Sequence, residues 1–245
     1  MKRLFSHFKP LNRLERLRRK WREENPQPSV LSALTNCSLS LEDQLLSELN
    51  FLVLDFETTG LSPEKDQILS IGYVEINGGV LDLETSHETY IKDSCGIKAE
   101  TAIINHITPE MLKVGETLDC AMTALFERMK GRVVVVHGLT VEKSFINHYI
   151  QSRYELMPPP LLLLDTLIIE KSLAVNINNQ KGGDYRLSSI RQRHGLPEYP
   201  CHGALIDAVA TGELLLALMK KMFGTGAPTL GQIYDSCHYE MMVNS

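Results

Sequence analysis

The chain has 245 residues, 43% hydrophobic and 22% charged, the balance of a globular protein with room for one sizeable α/β domain and appendages. No run nears the length of a membrane span, residues 1–10 lack a signal-type apolar core, and the five cysteines never form a C-x-x-C pair. That excludes a membrane-spanning protein and argues against a zinc site, and it favours a reducing, cytoplasmic setting. The net charge of −5 is uneven: residues 1–24 carry +6, so the remainder carries −11, and an acidic body must meet any polyanion through bound cations or a local basic patch.

Leu11, Leu14, Leu17 and Trp21 stand at helical spacing among arginines, which predicts a short basic amphipathic helix over 11–24. It has two readings: a contact for nucleic acid, a membrane surface or a protein partner, or a helix packed on the domain with its charges in water. Residues 25–29 (NPQPS) read as a linker, and Ser40–Asp43 as a capped helix start. Phe51-Leu52-Val53-Leu54 is an apolar run typical of a strand buried on both faces. Strands follow at 68–76, 80–83 and 88–91, with a hairpin at Asn77-Gly78-Gly79. Helices are predicted at 108–113 and 118–130, a buried strand at Val133–Val136, a helix at 140–153, and a strand at 161–164 ending on Asp165. Helices at 166–173 and 186–194 flank a polar loop at 175–184, a long apolar helix covers 204–222, and an irregular tail begins at Phe223. Antiparallel strands first, then strands alternating with helices, imply a mixed sheet with helices on its faces. The expected division is a basic helical extension and linker at 1–48, a catalytic domain at 49–222 and a tail at 223–245.

Chemistry-capable residues cluster at the ends of these elements. Side chains alternate along a strand, so Asp55 and Glu57 point one way and Phe56 the other. Two acids on one face of a buried strand repel and lose water unless a cation lies between them. His137 and Glu142 follow the strand at 133–136, Asp165 with Thr166 has the form of a helix N-cap, and His202 and Asp207 open the long helix. Each alone has an ordinary structural explanation. Together, acid-x-acid, acid, and histidine-x4-acid supply what a two-metal phosphodiester hydrolase needs: oxygen ligands for two hard cations, Mg²⁺ or Mn²⁺, and an imidazole able to take a proton from water.

Asp55-Phe56-Glu57-Thr58-Thr59-Gly60-Leu61 resembles the first motif of the DEDD superfamily of 3′→5′ exonucleases. His202-Gly203-Ala204-Leu205-Ile206-Asp207-Ala208 resembles the third motif of its histidine-type branch, closest to the bacterial proofreading-subunit (DnaQ-like) group. Ile104-Asn105-His106-Ile107-Thr108 and Asp165-Thr166-Leu167 resemble further family segments. The resemblance implies a ribonuclease H-like mixed β-sheet flanked by α-helices, two divalent ions (Mg²⁺ or Mn²⁺) held by Asp55, Glu57, Glu142 and Asp207, and His202 as general base. It also implies a 3′-terminal nucleotide held by Thr58, Thr59 and Leu61. The second motif departs: His137-Gly138-Leu139-Thr140-Val141-Glu142 stands where the family has H-N-A-x-F-D, so glutamate takes the aspartate's place. Phe145 and Tyr185 are the aromatic candidates for stacking bases. The implied substrate is a single-stranded 3′ end, DNA before RNA, yielding nucleoside 5′-monophosphates. RNA trimming, and an inactive fold serving as an interaction module in a polymerase or repair complex, stand as alternatives. The basic N-terminal helix is the candidate contact for such a partner.

Overall fold

A computed structural model describes residues 9–26, 29–35, 41–92, 107–178, 183–199 and 203–243. His202 and the 104–106 part of the segment beginning at Ile104 lie outside the described residues. Five strands form one sheet: β1 (Phe51–Thr58), β2 (Ile68–Asn77), β3 (Val80–Tyr90), β4 (Val133–Val136) and β5 (Leu163–Asp165), in the spatial order β3-β2-β1-β4-β5. β1–β2 and β2–β3 are antiparallel, β1–β4 and β4–β5 parallel, so the mixed α/β sheet expected of a ribonuclease H-like chain is present. The β2–β3 turn places Gly78 at φ 58° and Gly79 at φ 78°, a pair of left-handed positions that only glycines adopt without strain. β3 is one strand where two segments were expected, with a register irregularity between Tyr73 and Glu75 of its partner.

The helices are α1 (Pro10–Glu24), α2 (Val30–Thr35), α3 (Pro109–Lys113), α4 (Leu118–Met129), α5 (Thr140–Tyr154), α6 (Thr166–Asn178), α7 (Leu187–Arg193), α8 (Ala204–Phe223) and α9 (Leu230–Val243). Alternation along β1 divides the core. Phe51 and Val53 pack with Leu214, Leu215 and Leu218 of α8, Ile169 of α6 and Ile190 of α7. Leu52, Leu54 and Phe56 pack on the opposite face with Met122, Leu125 and Phe126 of α4 and Phe145, Ile146 and Ile150 of α5. Phe145 is therefore core and unavailable for base stacking.

Two expectations are corrected. Residues 41–46 do not begin a helix: Leu41–Asp43 and Leu46–Glu48 are single 3₁₀ turns, and Leu45 bridges to Thr229 while the Leu46 N–H donates to the Pro228 carbonyl. The residues after Phe223 are not an irregular tail, since α9 buries Leu230, Ile233, Tyr234 and Cys237 against the α8 side of the sheet. The basic helix α1 is packed, not free: Leu11 and Leu14 enter one core face and Trp21 the other. Buried Arg18 donates to the carbonyls of Pro160 and Leu34, and the Trp21 indole N–H to that of Met157. Arg13, Arg19 and Lys20 remain on its solvent side. No helix among the described residues is long and apolar enough to cross a membrane.

Candidate active site

The strand ends and helix starts meet at one corner. Asp55 pairs across β1–β2 with Gly72, and a Cβ built on Gly72 would lie 2.1 Å from the Leu205 nitrogen and the Ala204 carbonyl carbon. The missing side chain lets the first turn of α8 rest directly on β2. Asp207, whose N–H donates to the Gly203 carbonyl at 2.9 Å, then projects from that turn toward β1. Ligand-capable oxygens of Asp55, Glu57 and Asp207 all lie within 4.8 Å of one another. Acids separated by about 150 residues in the chain thus meet at one place.

The electrostatics follow from that crowding. Asp55 is pushed well above the usual carboxylate range, first by burial and then by the charges of Glu142, Asp207 and Glu57. Glu57 is pushed up to about 7 by burial, Asp207 and Glu88. Glu88 sits on β3 opposite Gly72, in the same cross-strand row as Asp55. Nothing in the local sequence marked Gly72 or Glu88; only the pairing of β1, β2 and β3 brings them to the site.

Glu142, in the first turn of α5, is buried and also raised, chiefly by burial with Asp165 adding, while the Phe56 N–H pulls the other way. It acts on Asp55 but stands outside the close three-acid group, and its Oε2 has no hydrogen-bond partner. Asp165 accepts from the N–H groups of Gly138 (3.0 Å), Leu139 (2.9 Å) and Leu167 (2.9 Å). It caps α6, as its N-cap signature suggests, and also ties down the loop that launches α5, whose N-cap residue Leu139 offers no side-chain cap. His137 is structural: its Nδ1 meets Thr166 Oγ1 at 2.8 Å and its Nε2 the Tyr185 carbonyl at 3.1 Å, and burial lowers its pKa.

The loop between β1 and β2 uses its own hydroxyls. Thr58 Oγ1 donates to the Gly60 carbonyl at 2.7 Å, and Thr59 Oγ1 accepts from the Gln67 N–H at 2.9 Å and donates to Asp66. Asp66 also accepts from the Ser62 N–H at 2.9 Å. This stapled loop holds Leu61 outward, 78% exposed, beside the acids.

The donor set suits hard divalent cations: three carboxylates that repel one another when empty, and a fourth with an orphaned buried oxygen. Sheet order and acid corner together define a nuclease of the ribonuclease H-like fold class. The sequence profile of the exonuclease family matches residues 52–215, and the chain belongs to that family, within the DEDD, DnaQ-like group that its motifs resemble. The PolC-type DNA polymerase III of Thermotoga maritima is 31% identical over 202 residues, covering 81% of this chain but 14% of that polymerase. The PolC-type polymerase of Caldanaerobacter subterraneus is 27% identical over 193 residues, 78% of this chain and 13% of that one. The chain thus spans about a seventh of these relatives' length. Among solved structures, cell-death related nuclease 4 superposes with a TM-score of 0.59 at 14% identity over 71% of this chain and 64% of its own. Exonuclease X in complex with 5′ overhanging duplex DNA gives 0.54 at 19% identity, over 75% and 98%. Escherichia coli exonuclease I in complex with a dT13 oligonucleotide gives 0.56 at 18%, over 70% and 41%. These low-identity likenesses bear on the fold.

Proposed function

We propose that this protein is a divalent-metal-dependent exonuclease that removes nucleoside 5′-monophosphates from the 3′ end of single-stranded DNA. The observation that carries the reading is the convergence of Asp55, Glu57 and Asp207 within 4.8 Å. Asp55, Glu57 and Asp207 would hold one Mg²⁺ or Mn²⁺, and Asp55 with Glu142 a second. Bound there, such ions supply Lewis acidity and charge neutralisation at a phosphodiester. Glu142 replaces the family's aspartate with a side chain one methylene longer. The N–H groups donated to Asp165 fix the start of α5, so that extra length must be taken up by the Glu142 side chain. His202 is assigned the role of general base, drawing a proton from the attacking water. The exposed Leu61 packs on the terminal base, while the hydroxyls of Thr58 and Thr59 hold the loop and leave backbone groups to meet the terminal nucleotide. DNA is favoured over RNA because the relatives are named as DNA polymerases and two of the neighbours, exonuclease X and exonuclease I, were solved with DNA. The solvent-facing arginines of α1 are the proposed contact for a polymerase or repair partner.

The test is incubation with 5′-labelled single-stranded DNA and RNA in Mg²⁺, Mn²⁺ or EDTA. A ladder shortening from the 3′ end, faster on DNA and abolished by EDTA, is expected. Cleavage from the 5′ end, or in EDTA, overturns the mechanism.

A further inference from the structure

Beside the acids lies a cavity of about 950 Å³ walled by α6, α7 and α8, large enough for a nucleotide unit. Asp207 belongs both to the carboxylate group and to the cavity wall, so the two adjoin at that residue. Their positions on the sheet give the arrangement a direction. The loop carrying Leu61 joins β1 to β2, on one side of the acids. The cavity is lined on the other side by His137 after β4 and by α6 and α7, which follow β5, while α8 lies over β1 and β2 between the two. A phosphodiester at the acids with its 3′ nucleotide toward Leu61 would have the cavity on the side of its 5′ chain.

The walls carry Lys171, Arg186 and Arg191 against Asp184, Glu198 and Asp207. Such balance suits a neutral planar base more than a string of phosphates. One aromatic on the wall is built as a platform. Tyr199 is 36% exposed, with the Arg191 guanidinium 4.7 Å from its ring centroid and its hydroxyl donating to Glu213 Oε1 at 2.8 Å. Arg191 is itself 3% exposed, bonding Glu213 Oε2 at 2.7 Å, the Pro197 carbonyl at 2.9 Å and the Ala210 carbonyl. A half-buried ion pair between α7 and α8 therefore fixes an exposed ring at the cavity wall, so its ordering entropy is lost on folding and not on binding.

We propose that this cavity receives the nucleotide on the 5′ side of the scissile phosphodiester, its base stacked on Tyr199 and its phosphate near Lys171 and Arg186. The proposal rests on the exonuclease reading above and extends it from bond cleavage to strand path. It is tested with single-stranded DNA 10-mers carrying a normal or an abasic penultimate nucleotide. The p-nitrophenyl ester of thymidine 5′-monophosphate serves as a substrate with no upstream nucleotide. Binding is followed by fluorescence anisotropy with Ca²⁺ in place of Mg²⁺. Removing the penultimate base weakens wild-type binding about tenfold, and Tyr199→Ala does the same to the intact strand. The two losses do not add, because they delete the same contact. Tyr199→Phe, which keeps the ring, retains binding, and Tyr199→Ala leaves ester hydrolysis within about twofold. Full additivity, an unaffected Tyr199→Ala variant, or equal loss on ester and strand overturns the assignment. If neither ester nor strand is cleaved but binding still senses the penultimate base, the exonuclease reading fails and the cavity assignment stands.

Discussion

Glu142 and Asp165 are both 4% exposed and flank the same loop, yet they live under opposite conditions. Asp165 receives three backbone N–H groups from Gly138, Leu139 and Leu167, so its charge is spent on holding two helix starts. Glu142 keeps an oxygen with no partner, and burial raises its pKa. Burial alone does not distinguish these two acids; hydrogen-bond satisfaction does. On β1 and α8, too, acids crowd together: Asp55, Glu57 and Asp207 meet within 4.8 Å, and burial with their mutual repulsion pushes Asp55 and Glu57 up.

The sharpest way to break this contrast is at the crowded side. Asp207→Asn should cut nuclease turnover by about a thousandfold or more, since it removes a ligand and a charge. The metal-free variant should melt a few degrees higher than wild type, about 2–4 °C, because one repulsion is gone. A drop in melting temperature would mean that Asp207 is a stabilising group and that the acids are not in conflict. Next in size is the satisfied acid. Asp165→Ala leaves three half-buried N–H groups without that partner and should cost about 3 kcal/mol, lowering the melting temperature by about 10 °C. Glu142→Ala, equally buried, should shift stability by less than about 1 kcal/mol while abolishing most activity. Chemical denaturation of the two variants side by side decides it: equal losses erase the distinction. Smaller again is Glu142→Asp. It restores the family's residue type, but the start of α5 stays where Asp165 pins it and the carboxylate withdraws by a methylene. Turnover should fall about tenfold, read as kcat in Mg²⁺. A gain in rate would show that α5 is set for aspartate after all.

Much of this site was legible in the sequence, for physical reasons that differ by residue. Asp55 and Glu57 are two apart in an apolar strand, so alternation alone puts them on one face. Asp207 follows a glycine-led helix start, and its helical period is local too. What required the folded chain was every relation across strands. Gly72 is an unmarked glycine in a strand until its pairing with Asp55 shows that α8 rests on it. Glu88 joins the acids only through β2 and β3. Asp165 reads as a cap for its own helix, whereas the bonds from Gly138 and Leu139 that make it a clamp for α5 come from 26 and 27 residues away. The Arg191–Glu213 pair behind Tyr199 is likewise a tertiary contact between two helices. In α9, Leu230, Ile233, Tyr234 and Cys237 do keep a helical period, but over only two turns broken by Gly231 and Ser236, so the pattern was weak.

The smallest effect is the one that tests the physics of the crowded side most directly. Glu57 ionises near 7 in the fold against an ordinary 4.5, so between about pH 4.5 and 7 the folded chain holds a proton that the unfolded chain has released. Stability changes with pH in proportion to protons bound unfolded minus folded, which here is negative. The metal-free protein should therefore lose stability as pH rises through that window, and this group should add no further change above it. A divalent ion binds only the ionised acids, so saturating Mg²⁺ or Mn²⁺ should raise the melting temperature little at pH 5 and most at pH 8. Melting curves at pH 5, 6, 7 and 8, with EDTA or metal, carry the comparison, and Glu57→Gln should flatten the metal-free slope. A metal-free protein that gains stability across the window would place the counter-charge within the chain itself, and the acids would then need no ion to coexist.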